Sequence, residues 1–534
     1  MKNYSKAITH ENTKQTEKLF GEAQVKNRAG GYVYEVTDMQ RLTRFLILGA
    51  DESFYSTERK TTIENAEIVL NLVKNDLTGI DAVNKIVEIS ESGRAAKNDS
   101  AIFALAIAAS YGTDKVRSYA LSNLNKVCRI ATHLFQFIEE IQNMRGWGRA
   151  LRKAVANWYT EKDEQRLGYQ LLKYKNRNGW THLDAIRLAH PKPSTLKQNE
   201  MFSALSKGFD NYKADKDDQF FVGMNFNEIV GTDEKKAANL IREYKLPREV
   251  IPTSMLNSPD IWDALVDGDM GMTALIRNLA KMTTVGYLSP FSSGTNKVVE
   301  MLSNPEKIRK SRIHPINVLA ALLVYKNGKG YKGNNTWDPV SSIINSLEEA
   351  FYTSFFNVEP TNQRYLVSLD VSGSMSWGNI AGYEFLNPML VSAAMAMITL
   401  RTEKNVELRA FSTKFTNPKI TKNMSLDKVL AVINKMYFGR TDCSLPMIWA
   451  TEKNIPVDTF IIWTDNETWA GNIHPSIALK KYRQKTGIDS KLIVCATEAS
   501  KFTIADPKDR GMLDIAGFDS AVPQIIRSFS LGEF

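Results

Sequence analysis

The stretch RYLVSLDVSGS, residues 364–374, decides the class of the C-terminal fold. It opens with a short apolar run that is typical of a buried parallel strand. The run passes directly into Asp370, Ser372 and Ser374, so one carboxylate and two hydroxyls are expected on a single loop. The stretch therefore predicts a strand whose carboxyl end carries hard oxygen ligands.

Strands and helices alternate from there to the C-terminus. The runs NVELRAFS, DTFIIWTD and SKLIVCAT are typical of further strands, and PMLVSAAMAMITLRTE, SLDKVLAVINKM and HPSIALKKYRQKTG of helices. This alternation predicts an α/β domain with a doubly wound sheet over residues 361–534. In such a sheet, ligands bind at the carboxyl ends of the strands.

Two more loops are expected at the same edge of the sheet. The strand DTFIIWTD ends in Thr464 and Asp465, and the loop YFGRTDCS supplies Thr441. Two carboxylates and three hydroxyls suit six-coordinate Mg²⁺, with water or a partner's carboxylate in the remaining positions. The alternative for DVSGS alone is a helix cap, because Asp and Ser are common at helix N-termini. The candidate metal ligands are Asp370, Ser372, Ser374, Thr441 and Asp465.

On the N-terminal side, the sequence pattern of residues 37–356 predicts a long succession of helices. Apolar residues recur at three- and four-residue spacing in segments such as DMQRLTRFLILG and KVRSYALSNLNKVC, and no strand-like alternation interrupts them. Short segments that end in Gly, Asn or a polar turn favour antiparallel helix pairs stacked as a solenoid. The polar stretch of residues 192–248 predicts a long surface loop.

Composition limits the classes of protein that fit. A chain of 534 residues with 43% hydrophobic residues predicts two or more domains. It has no run of eighteen uncharged apolar residues and no signal-peptide pattern, so neither a membrane segment nor secretion is expected. Cys128, Cys443 and Cys495 are far apart, which argues against a disulfide framework and favours a reducing compartment. These features predict a cytoplasmic protein.

Positive charge is concentrated in residues 145–192, called the basic block below. The block holds eleven Lys/Arg against four Asp/Glu, whereas the whole chain carries a net charge of only +9. Such a block is a candidate phosphate-binding surface. Arg149, Arg152 and Lys153 lie close on one helical face, and Lys173 and Arg177, four residues apart, are expected to share another.

Aromatic residues are interleaved with these cations. This pattern suits single-stranded RNA, because the cations can bind the phosphates while the aromatic rings stack on the bases. The alternative is that the aromatics are core residues and the cations a solvated face, with His182 and His190 as capping or packing residues. The interleaved aromatics are Trp147, Trp158, Tyr159, Tyr174 and Trp180.

Long motifs carry a family resemblance from about residue 31 to the C-terminus. The motifs GYVYEVTDMQRLTRFL, GWGRALRKAVANWY, KYKNRNGWTH and RIHPINVLAAL, with TDCSLPMIWA and WTDNETWAG farther on, resemble the Ro autoantigen family. The resemblance implies a ring-like α-solenoid of HEAT-type repeats, the TROVE module, over residues 31–360. A von Willebrand factor A domain follows it over residues 361–534, and residues 1–30 form a polar N-terminal extension.

The resemblance also implies a function and site residues. Family members bind small noncoding Y RNAs on the outer surface and single-stranded 3′ ends of misfolded RNAs in a central hole. The five candidate metal ligands match a metal-ion-dependent adhesion site, which implies a divalent cation and an acidic protein ligand, with an exoribonuclease as a further partner. Arg312 and His314 in SRIHP are weaker RNA candidates. The candidate RNA contacts are Lys173, Arg177 and His190, followed by Arg149, Arg152 and Lys153.

Three hypotheses follow from these features. The first is a non-enzymatic RNA-binding protein that acts in noncoding-RNA quality control or as a scaffold. The second is a metal-dependent protein-interaction module without RNA function. The third is a metal-dependent phosphohydrolase, which is disfavoured because an aspartyl phosphatase needs a second carboxylate two residues after Asp370, where this chain has Ser372.

Overall fold

The computed structural model describes residues 12–50, 57–210, 212–268, 270–331, 334–355, 359–436 and 439–533. A helical array runs from residue 38 to residue 353, and an α/β domain follows it. The predicted fold class is therefore confirmed. Within these ranges, no helix is both long enough and apolar enough to cross a bilayer.

The helices of the array are α1 (Asp38–Leu48), α2 (Glu58–Val73), α3 (Asp76–Ser92), α4 (Asp99–Tyr111), α5 (Asp114–Ser122), α6 (Leu124–Val127), α7 (Ala131–Met144), α8 (Arg149–Thr160), α9 (Glu164–Lys173), α10 (His182–Ala189), α11 (Leu196–Lys207), α12 (Gln219–Met224), α13 (Phe226–Val230), α14 (Glu234–Tyr244), α15 (Pro259–Asp267), α16 (Met272–Thr284), α17 (Ser293–Leu302), α18 (Pro305–Ser311), α19 (Pro315–Asn327) and α20 (Ser341–Thr353). Short 3₁₀ turns lie at Arg248–Val250 and Met255–Asn257.

Local sequence signals set the ends of these helices. Thr37 caps α1 in a reciprocal capping box with Gln40. Asn75 caps α3 through its side chain, and α3 ends at Gly93, whose φ of 70° is a left-handed conformation that glycine adopts without strain. Capping residues in the sequence therefore mark the ends of these helices.

The helical array closes on itself. Arg312 Nη1 donates to the carbonyl of Glu91 at 2.7 Å, and His314 Nε2 donates to the carbonyl of Arg94 at 3.1 Å. These bonds join the end of α3 to the start of α19, as a ring-like solenoid requires. His314 is buried, so its role is to close the array rather than to contact a ligand.

One expectation for the array was wrong. A two-stranded hairpin, β3 (Asn176–Arg177) and β4 (Trp180–Thr181), follows α9, because the Asn178–Gly179 turn takes the positive φ values that tight hairpins need. Arg177 therefore does not share a helical face with Lys173. The polar stretch after residue 192 consists mainly of helices α11 to α14, and it contains a surface loop with the sequence KADKDD between α11 and α12.

The α/β domain is built on a six-stranded sheet of the strands β5 (Arg364–Asp370), β6 (Asn405–Phe411), β7 (Phe415–Thr416), β8 (Thr459–Thr464), β9 (Lys491–Ala496) and β11 (Met512–Ala516), with β10 (Phe502–Thr503) outside the sheet. The strand order is β11-β9-β8-β5-β6-β7, and all strands are parallel except β7. The helices of the domain are α21 (Pro388–Thr402), α22 (Leu426–Ile433), α23 (Leu445–Lys453), α24 (Pro475–Thr486) and α25 (Val522–Leu531), with a 3₁₀ turn at Gly373–Ser376.

Alternate residues of the central strands enter two different cores. Leu369 and Trp463 pack in the core that continues into the helical array. Leu366 and Ile462 face the opposite side, towards α23 and α24. Leu369 pairs with Trp463 in the parallel register, so Asp370 and Thr464 reach the same edge of the sheet.

The chain before the array also lies against the α/β domain. Strands β1 (Gln24–Lys26) and β2 (Tyr32–Glu35) form an antiparallel sheet with β10. Leu19 and Val33 are buried in the core beneath α23 and α24. The predicted polar extension thus contributes residues 12–30 to this domain, while its residues 1–11 lie outside the described residues.

Candidate functional site

Asp370 stands at the carboxyl end of β5 and is fully buried. Its Oδ1 accepts a hydrogen bond from the backbone N–H of Ser372 at 2.9 Å, and its Oδ2 accepts one from the Thr464 hydroxyl at 2.7 Å. The Ser372 and Ser374 hydroxyl oxygens are 3.3 Å apart. The DVSGS loop therefore places one carboxylate and two hydroxyls together, as its sequence predicts.

The other two ligand loops meet beside it. Asp465 follows β8 and is buried, and its Oδ1 accepts from the backbone N–H of Glu467 at 3.0 Å. The Thr441 carbonyl accepts from the backbone N–H groups of Trp469 and Ala470, at 3.1 and 3.0 Å, so its loop lies against the loop that follows Asp465. The three predicted ligand loops come together at one edge of the sheet.

The electrostatics of this edge favour a bound cation. Burial raises the pKa of Asp370, and the nearby Asp465 carboxylate raises it further. Burial also raises the pKa of Asp465, against the opposing effect of the Ser374 hydroxyl. Asp465 Oδ2 is buried without a hydrogen-bond partner. Two buried carboxylates, one with an unused acceptor, together with neighbouring hydroxyls, fit a divalent cation that prefers oxygen ligands.

A site made of three or more His, Cys, Asp or Glu side chains does not occur in the described ranges. The candidate metal centre is therefore the mixed set of two carboxylates and three hydroxyls that the sequence predicts. The Thr464 hydroxyl adds a further contact, because it occupies one oxygen of Asp370.

The cations of the basic block lie mainly at the surface. Lys162 is the exception: its Nζ donates to the Trp158 carbonyl at 2.7 Å, and burial lowers its pKa to about 7. None of the other ten forms an ion pair with a carboxylate of the described chain. These ten are Arg145, Arg149, Arg152, Lys153, Arg166, Lys173, Lys175, Arg177, Arg187 and Lys192.

Two clefts collect part of this charge. A cleft of about 490 Å³ is lined by Arg145, Arg149 and Lys153 at the start of α8, and Arg152 is exposed on the same helix. A second cleft, of about 400 Å³, is lined by cations from two parts of the chain. The cations of the second cleft are Arg166, Lys173, Lys245 and Arg248.

Of the remaining candidates, Arg177 and His190 lie outside the two clefts, and Lys173 lines the second one. Arg177 is exposed on the β3–β4 hairpin, and His190 is exposed at the end of α10 with a φ of 50°. Lys173 is half-buried, and its Nζ donates to the Tyr169 hydroxyl at 3.0 Å. The six RNA candidates thus occupy a series of surface sites rather than one cluster.

Most of the interleaved aromatic residues are core. Trp158, Tyr159 and Trp180 are buried, and the Tyr159 hydroxyl lies 3.0 Å from Nδ1 of the buried His182. Expecting these three rings to stack on bases was wrong, because their faces are covered in the folded chain. The alternative of core packing holds for them and for His182.

Sequence reasoning missed residues that reach the sites from far along the chain. Lys245 and Arg248 line the second cleft from outside the basic block. Gln15 and Asn27 contact the loops that carry the candidate metal ligands Thr441 and Asp465. Neither pair has a local sequence signal, because each acts through long-range contacts.

Comparison with protein families decides the relationship of the chain. A model of the TROVE domain matches residues 25–240 and 241–323. A model of the Ro60 von Willebrand factor A domain matches residues 364–530. The chain belongs to the Ro60 family.

Known Ro60 proteins are similar over almost the full length. The "RNA-binding protein RO60" of Deinococcus radiodurans is 40% identical over 536 residues, covering 100% of both chains. The protein of the same name from Caenorhabditis elegans is 38% identical, over 96% of this chain and 91% of its own. The crystal structure of the Deinococcus radiodurans Ro (RSR) protein superposes with a TM-score of 0.69 at 38% identity, covering 93% of this chain and 100% of that one.

Proposed function

We propose that this Ro60 family member binds small noncoding Y-like RNA and the single-stranded 3′ ends of misfolded RNA. In this role it acts in noncoding-RNA quality control or as an RNA scaffold. The observation that carries the proposal is the set of ten cations of the basic block that have no carboxylate partner in the described chain. The relatives from Deinococcus radiodurans and Caenorhabditis elegans are named RNA-binding proteins, which supports the proposal.

Unpaired surface cations suit a polyanion better than a protein ligand. Each Lys or Arg that meets a phosphate releases condensed counterions, which drives binding without a need for base contacts. The cleft at Arg149 and Lys153 is a concave site for single-stranded RNA. The hairpin at Arg177 and the helix end at His190 offer convex contacts to the backbone of a folded RNA.

The metal centre forms the second part of the proposal. Asp370, Ser372, Ser374, Thr441 and Asp465 would hold Mg²⁺, directly or through water. When bound, the cation supplies an open coordination position for an acidic side chain of a partner, such as an exoribonuclease. The unused Oδ2 of Asp465 supports this assignment.

The arrangement around Asp370 does not favour a phosphohydrolase. An aspartyl phosphatase needs a second carboxylate two residues after the nucleophile, and this chain has Ser372 in that place. A metal-dependent interaction module without RNA function would leave the charge of the basic block unexplained.

The three buried, unpaired cysteines suit a reducing compartment, so we propose that the protein is cytoplasmic.

A binding comparison tests the RNA proposal. We would measure fluorescence anisotropy with a hairpin RNA that carries a single-stranded 3′ tail, and with the same hairpin without the tail. The variant Arg149→Gln/Arg152→Gln/Lys153→Gln is expected to lose affinity for the tailed RNA most strongly. The matched control, Lys404→Gln/Lys422→Gln/Lys435→Gln, removes three exposed cations from the α/β domain. Equal losses in the two variants would overturn the assignment of α8.

A further inference from the structure

A segment of the N-terminal chain crosses the metal-ligand loops. We call residues 12–35 the N-terminal strap, and residues 439–443 and 465–471 the ligand loops. The strap is anchored by β1 and β2, which pair with each other, and by the pairing of β2 with β10. Its contacts reach both ligand loops, although more than 400 residues separate them in sequence.

Gln15 is the main link between the strap and the loops. It is fully buried, and its Nε2 donates to Asp442 Oδ1 at 2.8 Å and to the Ile473 carbonyl at 2.9 Å. The Thr468 hydroxyl donates to its Oε1 at 2.6 Å. Its backbone N–H donates to the Gly471 carbonyl at 3.0 Å. One side-chain amide therefore bonds to both ligand loops at once.

Asn27 makes a second set of bonds at the other end of the strap. Its Nδ2 donates to the carbonyls of Asn466 and Thr468, at 3.2 and 2.9 Å. The backbone N–H of Ala29 donates to Glu467 Oε2 at 2.8 Å. These bonds fix the backbone directly after the ligand Asp465.

Thr468 connects the two ligand loops. Its hydroxyl accepts the backbone N–H of Cys443 at 3.0 Å while it donates to Gln15. The Gln15 amide thus orients a hydroxyl that holds the loop of Thr441 against the loop of Asp465. The fit is tight, because a side chain at Gly471 would collide with the Gln15 amide and with Asp442.

We propose that Gln15 and Asn27 are positioning residues of the cation site. They hold the two ligand loops at the separation at which Thr441 and Asp465 face Asp370. The inference rests on the cation site proposed above. It makes the strap part of that site, so that displacement of the strap lowers the affinity for the cation.

The test is a Mn²⁺ titration of the full chain, followed by the electron paramagnetic resonance signal of free Mn²⁺, with Mg²⁺ as competitor. Gln15→Met keeps the side-chain volume and removes the amide. We expect it to weaken Mn²⁺ binding about tenfold or more, the effect typical of residues that orient metal ligands. Glu22→Gln is the matched control, because it removes an ion pair with Lys508 at the surface of the same strap.

The outcomes separate the two proposals. If the wild type does not bind Mn²⁺, the cation site itself is wrong. If the wild type binds and Gln15→Met binds equally well, or if Glu22→Gln loses as much, the positioning role is overturned. Asn27→Ala provides a second measurement if Gln15→Met does not fold, and thermal unfolding in EDTA shows which variants are folded.

Discussion

Arg44 and Asp514 form a buried ion pair between the helical array and the α/β domain. Arg44 on α1 is 1% exposed, and its Nε donates to Asp514 Oδ2 at 3.1 Å. Its Nη1 also donates to the carbonyls of Ser500 and Phe502, at 2.8 and 2.9 Å. The guanidinium thus fastens the first helix of the array to the edge strand β11 and to the chain around β10.

Arg44→Met is expected to lower the free energy of unfolding by about 3–5 kcal/mol, because it leaves the buried Asp514 carboxylate without its cationic partner. Thermal and urea unfolding would measure the change. Arg59→Met, the same substitution at an exposed arginine of α2, is the control. If Arg44→Met and Arg59→Met lost equal stability, the Arg44–Asp514 ion pair would not stabilise the contact between the array and the α/β domain. The double variant Arg44→Met/Asp514→Asn should recover part of the loss.

Much of the fold could be predicted because its signals are local. Helix rhythm, caps such as Thr37 and the apolar runs of β5 and β8 lie within a few residues of the elements they specify. Two parts of the fold could not be predicted in this way: a turn that replaced an expected helix, and strands that pair with a distant part of the chain. The Asn178–Gly179 turn overrode the expected helix, and β1 and β2 are stabilised by a strand near the other end of the chain.

Mg²⁺ is expected to stabilise the chain against heat. At a concentration of about a hundred times its dissociation constant, it should add about 2.7 kcal/mol to the free energy of unfolding. Asp370→Asn should abolish this gain. It should also raise stability in EDTA, because one of two buried like charges is removed.

Asp489→Asn is the control for this experiment, since that side chain is fully exposed. It should keep the response to Mg²⁺. A response that persists in Asp370→Asn would exclude this carboxylate as a ligand.

The buried histidines are expected to cost the chain stability as the pH drops below about 6.5, while the raised pKa values of Asp370 and Asp465 act in the opposite direction. Burial lowers the pKa of His182 and His314 from 6.5 to about 4. Between these values the unfolded chain binds protons that the folded chain does not, so each histidine costs about 2 kcal/mol at pH 5 relative to neutral pH.

Thermal unfolding between pH 4.5 and pH 7.5 checks this slope. His314→Asn, which retains a side chain able to cap α19, should lose about 2 kcal/mol less stability than the wild type between neutral pH and pH 5. His190→Asn, at an exposed position, should keep the wild-type slope. An unchanged slope in His314→Asn would refute the assignment.

The candidate metal centre was more predictable than the RNA surface. Four of its five candidate ligands follow the ends of β5 and β8, and the parallel register of these strands brings Asp370 and Thr464 to one edge of the sheet. The sequence of the basic block predicted where the positive charge is concentrated, but it did not predict which of its side chains lie together at the surface. Whether Trp158 faces solvent depends on packing against residues such as Cys128, which periodicity does not specify.

The most direct test of the central claim is a salt titration of binding to a structured RNA with a single-stranded 3′ tail. Wild type is compared with Lys173→Ala/Arg177→Ala/His190→Ala and with the control Lys404→Ala/Lys422→Ala. We predict a steep loss of affinity with salt for the wild type and the control, and a loss of both affinity and slope in the triple variant. Equal, weak and shallow binding by all three proteins would contradict RNA binding by the basic block.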